Sequence, residues 1–249
     1  MTDTHYTPGR FVWHEVATPD IEGTKKFYGA LFGWSFNEVP MPDGAYTMIM
    51  NGEAPVGGVF DIKKLPNDKV PPHWMGYVSV PNVDEAVAAA KSVGGTIGLE
   101  PMDIPNVGRM AVIGDGQHAY TTAFKSAQGD PPVVEQPGAG TFCWETLNTA
   151  DIDAAKAFYP KVYGWQVGDF HGMTTFQVGD KGIADAQKTQ GEMPSHWLSF
   201  VVVPDLAAAR NTVGEQGGKV IVEEIPIPDV GKIAIVSDNV GAFVGLFER

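Results

Sequence analysis

The sequence predicts an α+β fold of four β-α-β-β-β units paired into two domains, residues 1–125 and 141–249, joined by a linker over 126–140. Three observations carry that expectation. The stretch FVWHEVATPDIEGTKKFYGALFGW from Phe11 returns without a gap as FCWETLNTADIDAAKAFYPKVYGW from Phe142. Inside each copy a strand-like run, a capping residue, a helical stripe and a glycine stop occur twice. The 30 Gly and 19 Pro among 249 residues punctuate many short elements, which excludes a long helical bundle.

Each element has its own warrant. Phe11–Ala17 is an apolar strand-like run, and Asp20 is placed to accept the first free amides of a helix whose stripe is Ile21, Thr24, Tyr28 and Leu31. Gly33 can take the left-handed conformation that ends a helix. Short strands are expected at Ser35–Val39, Tyr46–Met50 and Val56–Phe60. The unit then recurs. Trp74–Val80 is the next strand, and Asn82 with Glu85 forms a capping box ahead of the stripe Val83, Val87, Ala90 and Val93. Gly94-Gly95 stop that helix, and strands follow at Thr96–Glu100, Arg109–Ile113 and Ala119–Phe124. In the second copy His196-Trp197 answers His73-Trp74, and Asp238 answers Asp115. These later matches sit at an offset of 123 rather than the 131 of the first segment, so eight residues are missing between Gly164-Trp165 and His196-Trp197.

Composition excludes whole classes of partner. Seventeen Lys+Arg against 30 Asp+Glu give a formal net charge of −13, which repels nucleic acid and anionic membrane. Apolar runs such as Leu198–Val203 are far shorter than the roughly 20 residues of a membrane span. Met1–Arg10 is polar, without a signal-peptide apolar core. Cys143 is the single cysteine, so the expected home is the cytoplasm. The expected partner is a small molecule, and the expected assembly a monomer or homodimer. Phosphate-loop, nucleophile-elbow and His-Glu-x-x-His motifs are all absent from the sequence.

The segments Asp20–Trp34 and Asp151–Trp165, with Ile104–Asp115 and Ile227–Asp238, resemble the vicinal oxygen chelate superfamily over nearly the whole chain. That superfamily includes glyoxalase I, extradiol dioxygenases and bleomycin-resistance proteins, and the chain looks most like its tandem, glyoxalase-like subgroup labelled hydroxylase or dioxygenase. The resemblance implies two glyoxalase-like domains with curved mixed sheets, each around a cleft. In metal-using members, His, Gln or Glu from the first and last strands of paired units chelate a divalent cation. Carried onto this chain, the first-strand positions fall on Trp13, Trp144, Met75 and Leu198. The last-strand positions fall near Gly58, Ala184, Thr122 and Gly245. None suits a hard cation, so no cofactor is expected and a divalent metal lacks support from the mapped positions.

A displaced pair is the alternative, because residues i and i+2 share a strand face. Glu15 then lies beside Trp13 and His73 beside Met75, and these two are the candidate catalytic residues and the weak candidate metal ligands. Burial would raise the Glu15 pKa, and a salt bridge to Arg109 is the plainer use of the same carboxylate. His73-Trp74 and His196-Trp197 equally suit a repeated structural role. Candidate ligand-binding residues are Trp13, Tyr46, Met48, Met75, Tyr77, Tyr120 and Thr122 in the first copy. Trp144, Thr146, His196 and Phe200 are their counterparts in the second. With Glu15, Tyr77 and Tyr120 against Thr146, Phe200 and Phe243, the first cleft is expected to be the more polar and to hold any chemistry. The expected function is small-ligand binding without the usual metal. The alternatives are a metal-dependent dioxygenase or lyase with displaced ligands, and an interaction protein with vestigial clefts.

Overall fold

The computed structural model describes residues 5–41, 44–65, 70–189, 191 and 193–249, and in it each sequence repeat contributes one eight-stranded mixed sheet. The first module runs β1 (Phe11–Thr18), α1 (Ile21–Phe32), β2 (Ser35–Met41), β3 (Gly44–Asn51) and β4 (Ala54–Asp61), followed by a 3-10 turn at Ile62–Lys64. The second runs β5 (His73–Ser79), α2 (Val83–Ser92), β6 (Thr96–Ile104), β7 (Gly108–Gly114) and β8 (Tyr120–Ser126). The third is β9 (Phe142–Thr149), α3 (Ile152–Tyr163), β10 (Gln166–Phe170), β11 (Met173–Val178) and β12 (Lys181–Lys188). The fourth is β13 (His196–Val202), α4 (Leu206–Glu215), β14 (Lys219–Ile227), β15 (Gly231–Ser237) and β16 (Phe243–Glu248). The sheet orders are β2-β3-β4-β1-β5-β8-β7-β6 and β10-β11-β12-β9-β13-β16-β15-β14.

The helices start and stop where capping chemistry requires. The Asp20 carboxylate accepts from the Gly23 amide, and Asn82, Asp151 and Asp205 serve α2, α3 and α4 in the same way. Gly33 and Gly164 close α1 and α3 at φ 72° and 71°, a conformation that is strained for residues bearing a Cβ. Within each module the first and last strands run parallel and the intervening hairpins antiparallel, as the β1–β4 and β2–β3–β4 pairings show.

The eight missing residues divide into two deletions. Ser35 faces Met50 across the β2–β3 hairpin (50 − 35 = 15), whereas Gln166 faces Gln177 (177 − 166 = 11). The β4–β5 connection spans Asp61 to His73 (73 − 61 = 12), whereas its counterpart spans Lys188 to His196 (196 − 188 = 8). Each deletion removes four residues, so the offset through β11 and β12 is 127.

The chain divides into two compact units that do not coincide with the repeats. One comprises Met1–Trp13, Met75–Val133 and Glu145–Trp197; the other comprises His14–Trp74, Val134–Trp144 and Leu198–Arg249. The first unit's core joins Val78, Val87, Ile113 and Ala123 of the second module to Leu147, Phe158, Tyr159 and Phe176 of the third. The other unit's core joins Val16, Phe27, Tyr28 and Ile49 of the first module to Val201, Leu206, Val213 and Leu246 of the fourth.

The repeated aromatic motifs work inside these cores. Trp74 Nε1 donates to Tyr28 Oη at 2.8 Å, and that phenol donates to Asp238 Oδ2 at 3.1 Å. Asp238 Oδ1 meanwhile accepts the amides of Val240, Gly241 and Ala242. The other unit repeats the chain: Trp197 donates to Tyr159 at 3.0 Å and Tyr159 to Asp115 at 3.2 Å, with the Gln117 and Ala119 amides on Asp115. Trp34 and Trp165 donate to the carbonyls of Gly140 and Gly9. Burial raises the pKa of both aspartates and lifts both tyrosines well above the phenol range. Thus the Phe-Tyr, Gly-Trp, His-Trp and terminal Asp signatures anchor strands to helices and tie off a turn.

Candidate functional site

Strand alternation separates a helix-covered face from a helix-free face in each sheet. Val16 lies in a core, so Glu15 and Ala17, with half-buried Trp13, project to the helix-free face of β1. Tyr46 and Met48 on β3 and Gly58 on β4 share that face, since Ile49 and Val59 belong to the core. Lateral pairing sets Glu15 opposite Gly58, and Tyr46 reaches over the glycine to donate its hydroxyl to Glu15 Oε2 at 2.8 Å. The contact as it stands depends on the glycine: a Cβ there would stand 1.7 Å from the Tyr46 oxygen.

The pairing also corrects the mapped metal positions. Gly58 is level with Glu15 rather than Trp13, and Thr122 is level with Tyr77 rather than Met75. In the second repeat Gly245 is level with Phe200 rather than Leu198, and Thr146 is level with Asp185. Asp185, not Ala184, is therefore the counterpart of Gly58. It escaped the sequence reading because the hairpin deletion moves the local offset to 127, which neither flanking segment reveals. Asp185 is 6% exposed and accepts a hydrogen bond from Thr146 Oγ1 at 2.7 Å.

These positions do not fit the chelated cation that the resemblance implies. The paired positions are Glu15, Gly58, Tyr77 and Thr122 in the first repeat and Thr146, Asp185, Phe200 and Gly245 in the second. No pair offers more than one carboxylate and none offers an imidazole, short of a transition-metal donor set. Aromatic rings also take the space in front of both glycines, because a Cβ at Gly245 would meet Phe200 ring carbon at 2.2 Å. Among the described residues no three His, Cys, Asp or Glu side chains gather as a metal site.

The remaining candidates fall in several places. His73 and His196 open β5 and β13, each with Nδ1 against the carbonyl two residues upstream, Pro71 at 2.8 Å and Pro194 at 2.9 Å. Burial lowers the His73 pKa, opposed by the Pro71 hydrogen bond, in which Nδ1 donates because a carbonyl can only accept. Glu15 meets a phenol where a guanidinium was expected: Arg109 is bidentate to Asp84 and also reaches Asp103. Tyr77, Thr122, Thr146 and Phe200 are buried, Met48, Met75, Trp13 and Trp144 half-buried, and Tyr120 exposed. Among the described residues the fully buried Thr122 hydroxyl has no hydrogen-bond partner. Cys143 is half-buried, and its Sγ approaches the Phe200 carbonyl at 3.5 Å.

The expected excess of polarity in the first repeat is reversed around β1 and β9. Ala17, Met48, Met50 and Phe60 have as counterparts Asn148, Thr175, Gln177 and Gln187. The reversal follows from positions on β3 and β4 that the uncorrected offset misaligned.

Comparison with known proteins agrees with the fold. Residues 10–52 match the family model described as bleomycin resistance protein-like N-terminal. A protein of Mycobacterium tuberculosis named as a glyoxylase, CFP32, is 30% identical over 98% of this chain and 97% of its own length. The anthracycline biosynthesis protein DnrV of Streptomyces peucetius is 29% identical over 98% of this chain and 95% of its own. Among solved structures, the Mn(II)-bound glyoxalase of Novosphingobium aromaticivorans superposes with a TM-score of 0.65 at 13% identity, over 97% of this chain and 82% of that one.

Proposed function

We propose a function for this chain from the premise that it belongs to the vicinal oxygen chelate superfamily: it binds a small, planar organic molecule against the helix-free face of its first sheet, without a chelated metal. The observation that carries this reading is the Tyr46–Glu15 hydrogen bond of 2.8 Å above Gly58. A carboxylate held by a phenol can accept a proton from an acidic C–H or O–H of a ligand, while the phenol keeps the acceptor oxygen oriented. Glu15 is the acid/base candidate in this scheme, with Tyr46 as its positioning residue. Trp13 and Met48 supply half-buried apolar surface suited to an aromatic ring. A relative named for anthracycline biosynthesis supports a polycyclic ligand.

The geometry of His73 supports a structural role, since Nδ1 is held by Pro71. The test is a tryptophan-fluorescence titration of the whole chain with hydroxyanthraquinones, with and without EDTA, alongside elemental analysis. Binding that survives EDTA and weakens about tenfold in Glu15→Gln or Tyr46→Phe supports the proposal, the size expected from losing a charge-assisted hydrogen bond. Binding or turnover that requires stoichiometric divalent metal overturns it.

A further inference from the structure

We infer that the third module carries a second, hydrophilic binding face whose ligand bears a protonated amine beside hydroxyl groups, chemically unlike the ligand of the first module. The inference rests on the position-by-position contrast between β1-β4-β3 and β9-β12-β11. On the helix-free face of the third module, Thr146 and Asn148 of β9, Asp185 and Gln187 of β12, and Thr175 and Gln177 of β11 stand in neighbouring rows. Leu147, Ala184, Ala186 and Phe176, their alternating neighbours, enter the core on the other face. The first module's counterparts are Glu15, Ala17, Gly58, Phe60, Met48 and Met50, a single carboxylate among small and apolar residues. Five positions that are Gly, Ala, Phe or Met in one repeat are thus hydrogen-bonding side chains in the other.

These groups are organised. Thr146 donates to Asp185 Oδ1 at 2.7 Å, Gln187 donates to Asn148 Oδ1 at 2.9 Å, and Gln177 reaches Thr175 Oγ1 at 3.5 Å. Thr146, Thr175 and Asp185 are each 5–6% exposed. Removing polar groups from water is unfavourable unless they are hydrogen-bonded, and a sheet face that in the first module holds only Glu15 and Tyr46 among small and apolar residues, Tyr46 standing where the third module has Met173, carries no packing need for six of them. A carboxylate low in such a face selects a cation, and flanking amides and hydroxyls, donors and acceptors at once, select a polyol. The small molecules that combine both are aminated sugars and amino-polyols.

The test uses the intact chain, labelled with 15N, and follows the side-chain amides of Asn148, Gln177 and Gln187 by NMR. Glucosamine is the probe and N-acetylglucosamine, with the cation removed, its control. The expected result is a saturable shift of those amides by glucosamine with a Kd of about 1 mM or tighter. Asp185→Asn should weaken it about ten- to hundredfold, and Glu15→Gln should leave it within twofold. Asn148→Ala, at a half-buried position, is the second variant and should also weaken binding should Asp185→Asn not fold. No shift with glucosamine, equal shifts with the acetylated control, or loss on Glu15→Gln overturns the inference. Because the face lies in the third module, its failure leaves the hydroxyanthraquinone reading of Glu15 and Tyr46 standing, and the reverse also holds.

Discussion

Replacing Tyr28 with Phe keeps the ring and deletes one oxygen that sits between two buried groups. Trp74 Nε1 loses its acceptor at 2.8 Å and Asp238 Oδ2 loses its donor at 3.1 Å. Tyr28 is 0% exposed, Asp238 3% and Trp74 6%, so water reaches none of them easily. An unsatisfied buried polar group costs about 1–3 kcal/mol, and two together cost roughly 2–5 kcal/mol of a total that is typically 5–15 kcal/mol. At the usual entropy of unfolding for a chain of this size, the transition falls by roughly 4–20 °C. Urea denaturation followed by circular dichroism measures the loss, and Tyr159→Phe, which breaks the same chain in the other unit, is its internal replicate. Trp74→Phe removes only one of the two bonds, and the double variant should cost little more than Tyr28→Phe alone, since both act on one network. A Tyr28→Phe protein within about 0.5 kcal/mol of the parent would refute the assignment of these repeated motifs to the scaffold.

Three other outcomes follow from the structure. Gly58→Ala should be tolerated at a cost of about 1 kcal/mol, because the atoms in its way belong to the outer end of Tyr46, which can swing aside and release Glu15. Gly245→Ala should cost about 3 kcal/mol, because the obstacle is the root of the buried Phe200 ring; comparable losses from the two substitutions would contradict this. The His73 pKa is lowered from 6.5, so the neutral ring favours the folded state. Its stabilising contribution is complete above the unfolded value of 6.5 and is lost as pH falls through the lowered one. An NMR titration of the His73 ring should show a midpoint below 6.5, and one at or above it would place the ring in water.

The elements were legible because their signals are local. Asp20, Asn82, Asp151 and Asp205 cap helices through amides two or three residues away, and Gly33 and Gly164 end them through their own backbone torsions. A repeat with an ungapped 24-residue match leaves no doubt about copy number, and the four modules followed from it. The site was harder. Glu15 and Tyr46 were both named, but their contact depends on Gly58 of a third strand, a relation across 31 and 43 residues that periodicity cannot supply. Asp185 was hidden by a deletion whose position only the hairpin register reveals.

By itself, then, the sequence determined the superfamily, the four modules and one sheet per repeat, since capping, alternation and duplication are written in neighbouring residues. Tertiary structure decided which modules share a core. Val87 of α2 shares a core with Phe158 of α3, and Phe27 of α1 with Leu206 of α4, because an amphipathic helix must bury its stripe and nothing in the stripe names its partner. It also decided that Tyr28, Trp74 and Asp238 are one hydrogen-bonded chain, that Asp185 occupies the place of Gly58, and that a phenol holds Glu15. Lateral register between strands far apart in the chain sets each of these contacts, and register is a property of the assembled sheet.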